Sequence, residues 1–436
     1  MTRQLHLNLF IMGRGHHEAA WRHPLSGSEK MSDFSRYLKL AQLAEKGLFD
    51  SVFLADILSL NHGGKYTPTG ELEPLTVLAA LAASTQHIGL VGTASTSYVD
   101  PFNLARQFAS LDHISQGRVG WNIVTSWAKD AEANFGLDQQ PSHQSRYARA
   151  WEFMEVVCAL WQSWNKNAVI DDAESGIYLD MDAVSPIHHQ GVHYKVRGPL
   201  TLQRSPQGRP VFFQAGSSAG GQKFAASYAD AIFTAQPDRE SAKVFYREVK
   251  GATKSAGRNP EHVLVFPGLS PVIATSDREA LQIREELDDL AATETGLERL
   301  SSRFGGYDFS SLVLDATLSK DDFPDPSLVQ AAQSRARVIV DYVETHRPTM
   351  RQLLRYMAGS RGHFALAGSP ETVAEEIVKW FEQGAADGFN LMPPIMPVML
   401  ERFVEDVIPI LQRKGLYRTA YSQETLRGRL GIPDLL

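Results

Sequence analysis

The stretch RPVFFQAGSSAGGQKFAA, residues 209–226, joins an apolar run to a helical pattern through a turn of glycines and hydroxyls. Its first part, PVFFQAG (210–216), has the length and composition of a buried β-strand, and a helix is predicted from Ala219. A strand that passes through a short turn directly into a helix is half of a βαβ unit, which predicts a parallel sheet. Ser217 and Ser218 stand just before that helix.

The same alternation of strand and helix runs along most of the chain. Apolar runs of strand length are each followed by a longer amphipathic pattern, and eight such pairs are recognisable. Eight βα units in one chain predict a closed (β/α)8 TIM barrel more than an open doubly wound sheet. The predicted strands are residues 5–12, 51–56, 88–95, 118–126, 210–216, 231–236, 263–274 and 389–394.

Two stretches, about 165–208 and 293–360, interrupt this alternation and are interpreted as insertions. The first has no clear periodicity and is rich in Asp, His, Gly and Pro, whereas the second is partly helical. Because α/β barrels with insertions reach this length as one unit, residues 1–436 are predicted to form a single domain. Long insertions that follow barrel strands are suitable lids over a site.

The composition excludes several classes of protein. A net charge of −7 without a clustered Lys/Arg run argues against a nucleic-acid surface. No apolar segment approaches the roughly 20 residues of a membrane span, and no signal-peptide cleavage pattern is present, so a cytoplasmic protein is expected. The single cysteine, Cys158, excludes an internal disulfide. No metal site is expected, because His188, His189 and His193 have no carboxylate at ligand spacing.

In a TIM barrel, chemistry is expected where strands end and helices begin. Several predicted strand ends carry polar side chains, among them His16, His17, Asp56, Thr93 and Asn122. Each has a simpler alternative, such as a cap or ion pair for Asp56, a turn residue for Thr93 and a solvated loop for the histidines. Their convergence on one predicted rim favours a binding site.

The turn at Ser217 and Ser218 predicts an anion site. The first N–H groups of a helix have no partner and carry partial positive charge. Glycines allow close approach and hydroxyls add donors, which together favour an anion such as phosphate. The pattern matches neither the dinucleotide fingerprint nor the P-loop, and a serine N-cap is the simple alternative. His143 and Tyr147, one turn apart, add a hydrogen bond to such an anion or serve as cap and surface packing.

Six stretches carry long and unusual motifs. They are GHHEAAWRHP (15–24), GRVGWNIVTS (117–126), HQSRYARAWEF (143–153), VRGPLTLQRSPQGRPVFFQAGSSAGG (196–221), GSPETVAEEI (368–377) and DGFNLMPP (387–394). They resemble segments of the flavin-dependent monooxygenases of the bacterial-luciferase superfamily, in the branch of nitrilotriacetate monooxygenase component A and dibenzothiophene-sulfone monooxygenase. The resemblance runs in order from about residue 5 to residue 430.

The resemblance implies a luciferase-like barrel that uses reduced FMN, supplied by a separate NAD(P)H:flavin reductase through a complex or by diffusion alone. It implies that reduced FMN and O2 give a C4a-hydroperoxide, which oxygenates a small organic substrate with cleavage of a C–S or C–N bond. It also implies a homodimer or homotetramer. Ser217, Ser218 and Tyr147 would hold the phosphate. The residues that it assigns to FMN are Asp56, Thr93, Asn122, His143, Tyr147, Ser217 and Ser218.

Histidine is the natural acid–base group near neutral pH. His16 or His17, with His363 behind them, are therefore the catalytic candidates. Two alternatives stay open: an oxidoreductase that transfers hydride to or from a deazaflavin or FMN, and a flavin-binding partner subunit without activity. The GWNIVTS and GRPVFFQAGSS matches and the full set of polar strand ends favour an active monooxygenase.

Overall fold

The computed structural model describes residues 3–60, 62–65, 67–126, 130–215, 219–291, 293–329 and 333–435. Within these ranges eight parallel strands pair in chain order, and the eighth pairs with both the seventh and the first, which closes a barrel. The (β/α)8 prediction is confirmed, with every barrel strand inside its predicted segment or within one residue of it. The strands are β1 (His6–Ile11), β2 (Ser51–Leu54), β3 (Gly89–Ser95), β4 (Val119–Val124), β5 (Val211–Gln214), β6 (Ala231–Thr234), β7 (Leu264–Ile273) and β8 (Gly388–Leu391).

Helices surround the barrel, and their first turns are fixed by capping side chains. Asp100, Ser142 and Asp238 each accept a backbone N–H at the start of a helix. No helix in the described ranges is long and apolar enough to cross a membrane. The helices are α1 (Phe34–Lys46), α2 (Pro74–Ser84), α3 (Pro101–Ile114), α4 (His143–Trp161), α5 (Ala219–Tyr228), α6 (Arg239–Ser255), α7 (Asp277–Leu290), α8 (Thr293–Arg303), α9 (Gln333–His346), α10 (Met350–Ser360), α11 (Pro370–Glu382), α12 (Val398–Arg402), α13 (Ile408–Arg413) and α14 (Leu426–Arg429).

The interior of the barrel is filled by aromatic rings and is not a pore. Successive side chains of a strand point to opposite faces, so alternate residues of each strand face inward. Neighbouring phenylalanine rings pack with centroids 5.5 to 6.4 Å apart. Leu426, Leu430 and Ile432 close the lower end of this cluster. A ligand must therefore bind above the rings, at the carboxyl ends of the strands. The rings are those of Phe10, Phe53, Phe213, Phe233 and Phe266.

Buried ion pairs close the base, where the strands begin. Asp50 precedes β2 and binds Arg418, and Asp230 precedes β6 and binds Arg209 and Arg427. Burial by itself would raise the pKa of Asp230, but Arg209 and Arg427 outweigh it and lower that pKa to about 2. The same balance lowers the pKa of Asp50, where the Arg418 charge outweighs burial.

Two segments extend beyond the barrel units. The first contains two small hairpins, Val169–Asp172 with Ile177–Leu179 and His189–Gln190 with Lys195–Val196. The second contains α8, α9 and α10, which share a hydrophobic cluster of their own. It is followed by a strand that the sequence patterns did not predict, Phe364–Gly368, which pairs in parallel with the outer half of β7.

Candidate functional site

A pair of histidines lies directly above the aromatic rings of the barrel. The His16 Nε2 atom is 3.3 Å from the carbonyl oxygen of Ser360. The His16 ring packs edge-on against His363, with centroids 5.5 Å apart. The His363 ring in turn lies flat on Phe233, at 5.2 Å between centroids and 4° between planes. The loop after β1 and the turn after α10 therefore bring His16 and His363 together.

A glycine in β7 makes room for this pair. A Cβ atom placed on Gly268 would lie 2.3 Å from His363 Nδ1 and 2.7 Å from the Met392 sulfur. Any side chain at this position would displace the His363 ring from the mouth of the barrel, which is the end where the strands reach their carboxyl termini. A glycine inside a strand pattern often marks such a close approach, so Gly268 is a signal that the sequence reading missed.

His17 has different partners from His16. Its Nδ1 atom accepts the backbone N–H of Ala19 at 3.1 Å, and its Nε2 atom lies 3.1 Å from Asp288 Oδ1 on α7. Burial is the main cause that lowers the pKa of His17, the Asp288 contact opposes it, and the Arg361 charge adds to the lowering. These contacts fit a neutral ring whose Nε2–H donates to Asp288, which anchors the loop after β1 to α7.

Thr93 and Asn122 face inward at the ends of β3 and β4. The Thr93 hydroxyl donates to the Leu54 carbonyl at 2.8 Å and accepts the Asn122 side-chain N–H at 2.8 Å. The buried Asn122 Oδ1 atom has no hydrogen-bond partner in the part of the chain that the structure describes. A buried acceptor without a partner costs free energy, which an N–H group of a ligand would recover.

Asp56 lies just beyond β2 and is half-buried. Burial raises the pKa of its carboxyl group, and the charges of Glu73 and Glu71 raise it further. The backbone N–H of Ile57 acts in the opposite direction. Asp56 therefore keeps its proton to higher pH than an ordinary aspartate does.

His143 and Tyr147 lie beside the first turns of α5. Their rings are 4.7 Å apart, and Tyr147 meets Phe224 of α5 edge-on with centroids 6.0 Å apart. A Cβ atom on Gly220 would be 3.4 Å from the His143 ring. Burial, followed by the Arg146 charge, lowers the pKa of His143. The pair at 217–218 lies outside the described residues.

The candidate residues form two groups on opposite sides of the mouth. His16 and His363 lie on the side of β1, β7 and β8, whereas Thr93 and Asn122 lie at β3 and β4. The helix starts of α4 and α5 continue this second group. In the ring of eight strands β1 stands opposite β5. The arrangement suits an elongated ligand with one end near α5 and the other near the histidines.

Two histidines of the first insertion, His189 and His193, contact a carboxylate. Glu152 accepts the backbone N–H groups of His193 and Tyr194 at 2.9 and 2.7 Å, and lies 3.2 Å from His189 Nε2. Within the described ranges no group of three His, Cys, Asp or Glu side chains is arranged to hold a metal ion.

Comparison with known proteins gives consistent matches over most of the chain. Residues 14–387 match the family described as luciferase-like monooxygenase. N-acetyl-S-(2-succino)cysteine monooxygenase of Bacillus subtilis (strain 168) is 43% identical over 99% of this chain and 97% of its own length. Nitrilotriacetate monooxygenase component A of Aminobacter aminovorans is 40% identical, with the same coverage. The crystal structure of a riboflavin lyase with modified FMN and riboflavin matches with a TM-score of 0.88 and 32% identity, over 99% of this chain and 96% of that one.

Proposed function

The chain belongs to the luciferase-like monooxygenase family and is a flavin-dependent monooxygenase, and we propose that it is the oxygenating component of a two-component system. In this proposal a separate NAD(P)H:flavin reductase supplies reduced FMN, and one atom of O2 enters a small organic substrate. The observation that carries the proposal is the buried Asn122 Oδ1 atom. It lies above the closed aromatic interior and has no hydrogen-bond donor among the described residues.

The residues at the mouth fit a flavin. Its ring carries an N–H group, which is the kind of donor that Asn122 Oδ1 lacks within the described chain. Its phosphate suits the start of α5, where His143 and Tyr147 lie close by. Asp56 and Thr93 supply further hydrogen-bonding groups on the same side. Reduced FMN, when bound, supplies the chemistry that activates O2.

The histidines then have distinct roles. We assign the acid–base role to His16 and His363, because their rings lie together over the barrel interior. His17 is a positioning residue, since both of its nitrogens are engaged by Ala19 and Asp288.

The second insertion, residues 293–360, shields the mouth from water. It reaches the loop after β1 through the Glu18 backbone N–H, which donates to the Ala358 carbonyl at 3.2 Å. The Ser360 contact with His16 continues this seam. Water promotes loss of the oxidising equivalents, so closure over the reacting atoms raises the yield of product.

The relatives named above narrow the reaction but leave the substrate class open. N-acetyl-S-(2-succino)cysteine is a thioether and nitrilotriacetate is a tertiary amine, so oxygenation with cleavage of a C–S or C–N bond is the proposed outcome. Both compounds are polycarboxylic acids, whereas riboflavin, the substrate in the matching crystal structure, is uncharged.

The test uses ¹⁸O2 with the full chain, a flavin reductase, NADH and FMN. We expect one ¹⁸O atom in an organic product of a thioether or tertiary amine, detected by mass spectrometry. Product formation that needs no O2 would contradict the proposal and favour hydride transfer. Tight binding of reduced FMN with no product from any compound tested would favour a flavin-binding partner subunit.

A further inference from the structure

The loop after β1 (residues 12–33) and the loop after β8 (residues 392–397) are joined along their backbones. β1 and β8 pair in the barrel, and four backbone hydrogen bonds continue their contact beyond the strand ends. The two loops therefore form one unit at the mouth. The four bonds run from the N–H of His16 to the carbonyl of Pro393 at 2.8 Å, from His17 to Pro394 at 3.3 Å, from Met396 to Arg14 at 2.9 Å and from Gly27 to Met396 at 3.0 Å.

Gly15 lies where the two loops approach each other most closely. Its φ angle is +143°, a backbone conformation that side chains rarely adopt. A Cβ atom on Gly15 would lie 2.7 Å from the carbonyl carbon of Pro394 and 2.9 Å from the Cα atom of Ile395, and still closer to the Pro394 oxygen. All three are backbone atoms, so no rotation of a side chain can relieve the contact. Glycine therefore fits this position while the loops stay joined, and a larger residue does not.

The loop after β8 is the more rigid of the two at this contact. Pro393 and Pro394 have no backbone N–H, and their rings fix φ near −65°, which restricts the directions of their carbonyl groups. Both prolines and the following Ile395 are buried. A side chain at Gly15 is therefore expected to move the loop after β1.

Movement of that loop would carry His16 with it. His16 is the next residue after Gly15, and its N–H donates to the carbonyl of Pro393. On the other side, the His16 ring contacts the Ser360 carbonyl and the His363 ring. Ordinary van der Waals contact begins at 3.4 Å, so relief of the contact at Gly15 needs a shift of about 1 Å. A misplacement of about 1 Å can lower a catalytic rate about a hundredfold.

A second glycine of the same loop lies in open space. Gly13 also has a positive φ angle, +50°, but among the described residues a Cβ atom there would meet only the Gly15 carbonyl oxygen, at 3.6 Å. Alanine at this position would experience the strain of a left-handed backbone without a clash. Gly13 is therefore the matched control for Gly15.

We propose that Gly15 is a positioning residue of the oxygenase: it lets the loops after β1 and β8 join, and this sets the place of His16 beside His363 before flavin or substrate binds. The proposal rests on the acid–base role of His16 in the function proposed above, and adds the element that orients this group. The joined loops hold the His16 backbone from one side, and Ser360 at the end of α10 holds its ring from the other. Groups that are preset in this way need no reorganisation during the reaction.

The first test measures the joined loops in the free protein. Hydrogen–deuterium exchange of peptides covering residues 14–19 is compared in the wild type, Gly15→Ala and Gly13→Ala, without flavin. We expect exchange at least ten times faster in Gly15→Ala, because the N–H groups of His16 and His17 lose their acceptors, and wild-type exchange in Gly13→Ala. Equal exchange in the two variants would overturn the proposal.

The second test determines whether Gly15 acts through His16. The reduced FMN complex of the full chain is mixed with O2, and oxidation of the bound flavin is followed by absorbance between pH 6 and pH 9, so no organic substrate is needed. We expect Gly15→Ala and His16→Gln each to slow oxidation about tenfold or more and to change the pH profile in the same way. The double variant should be no slower than His16→Gln alone, since the effects of residues that act as a unit do not add.

The outcomes of this comparison are distinct. Additive losses in the double variant would overturn the proposal, because Gly15 would then act on the fold and not through His16. A rate and pH profile that His16→Gln leaves unchanged would overturn the acid–base role of His16, and this proposal with it. The exchange test needs neither flavin nor O2, so a failure of the oxygenase function and a failure of the joined loops are distinguishable.

Pro394→Gly covers the case in which Gly15→Ala does not fold. This substitution keeps the carbonyl acceptor, loosens the loop after β8 and adds no atom beside Gly15. We expect faster exchange than in the wild type in residues 14–19, slower flavin oxidation, and no further loss when the substitution is combined with His16→Gln. Wild-type exchange and wild-type oxidation in Pro394→Gly would overturn the proposal.

Discussion

The base and the mouth of the barrel differ in whether their buried polar groups have partners within the chain. At the base, an aspartate stands directly before each of β2, β6 and β8 and accepts a backbone N–H of a neighbouring strand at 2.8 or 2.9 Å. Each carboxylate also binds arginine or lysine. Every one of these buried anions is matched by cations of the same chain. The three aspartates are Asp50, Asp230 and Asp387.

At the mouth a buried acceptor is not matched in this way. Asn122 Oδ1 has no hydrogen-bond partner among the described residues, and burial lowers the pKa of His17 although its ring contacts Asp288. Such arrangements cost free energy in the protein alone. The difference supports a structural role for the base and agrees with the proposal that a ligand binds at the mouth.

The largest expected effect is at the base. Asp50→Ala should lower the free energy of unfolding by about 3–5 kcal/mol, because it leaves Arg418 buried without its carboxylate. Urea denaturation followed by circular dichroism measures the change. Asp315→Ala removes a carboxylate from an exposed pair with Arg351 and should leave the unfolding midpoint unchanged. Equal effects of the two substitutions would contradict the structural role of the base.

The next effect is a pH dependence of stability that Asp230 causes. Its pKa of about 2 in the folded protein lies below the unfolded value of 3.8, so its stabilisation is complete above pH 3.8 and is lost as the pH falls toward 2. The shift corresponds to about 2 kcal/mol. Denaturation curves of the wild type and Asp230→Asn between pH 6 and pH 2 measure it. An equally steep loss in both proteins would contradict this assignment.

At the mouth we expect a loss of binding without a loss of stability. Asn122→Leu removes an acceptor that lacks a partner, so the free energy of unfolding should change by no more than about 1 kcal/mol. The Kd for reduced FMN should rise about tenfold, since one hydrogen bond of about 1.4 kcal/mol is lost. Anaerobic titration followed by fluorescence measures the Kd. A large loss in the free energy of unfolding, together with an unchanged Kd for reduced FMN, would contradict a binding role for Asn122 at the mouth.

The smallest effect concerns His17. Its pKa is lowered in the folded protein, so it stabilises fully above its unfolded pKa of 6.5, and this contribution is lost as the pH falls through the lower folded value. His17→Gln should therefore flatten the loss of stability on the acid side of pH 6.5, and the exposed His346→Gln should not. A steeper acid loss in His17→Gln would show that the ring is charged in the folded state.

Much of the fold is predictable from the sequence. The barrel strands are apolar runs between turn signals, and their regular alternation with helices predicts closure. The strand Phe364–Gly368 is not predictable, because its residues are partly exposed and it is stabilised by pairing with the outer half of β7. The role of the aspartates before β2, β6 and β8 is not predictable, because the arginine or lysine partners that bind them come from other parts of the chain.

The candidate site is predictable only in part. Strand periodicity places Thr93 and Asn122 at the mouth, and helical spacing places His143 beside Tyr147. The different partners of His16 and His17 cannot be predicted from the local sequence. Asp288 is 271 residues away from His17 and contacts it only because α7 packs against the loop after β1. The close approach of Gly15 to the loop after β8 likewise results from the tertiary structure.

Hydrogen–deuterium exchange with and without reduced FMN, under anaerobic conditions, tests the central claim most directly. Ligand binding slows exchange where it orders the chain. We expect slower exchange at the mouth, in residues 93–97, 122–126, 143–147 and 219–224, and no change at the base, in residues 414–432. Protection confined to the base, or no protection at the mouth at a saturating concentration of reduced FMN, would contradict it.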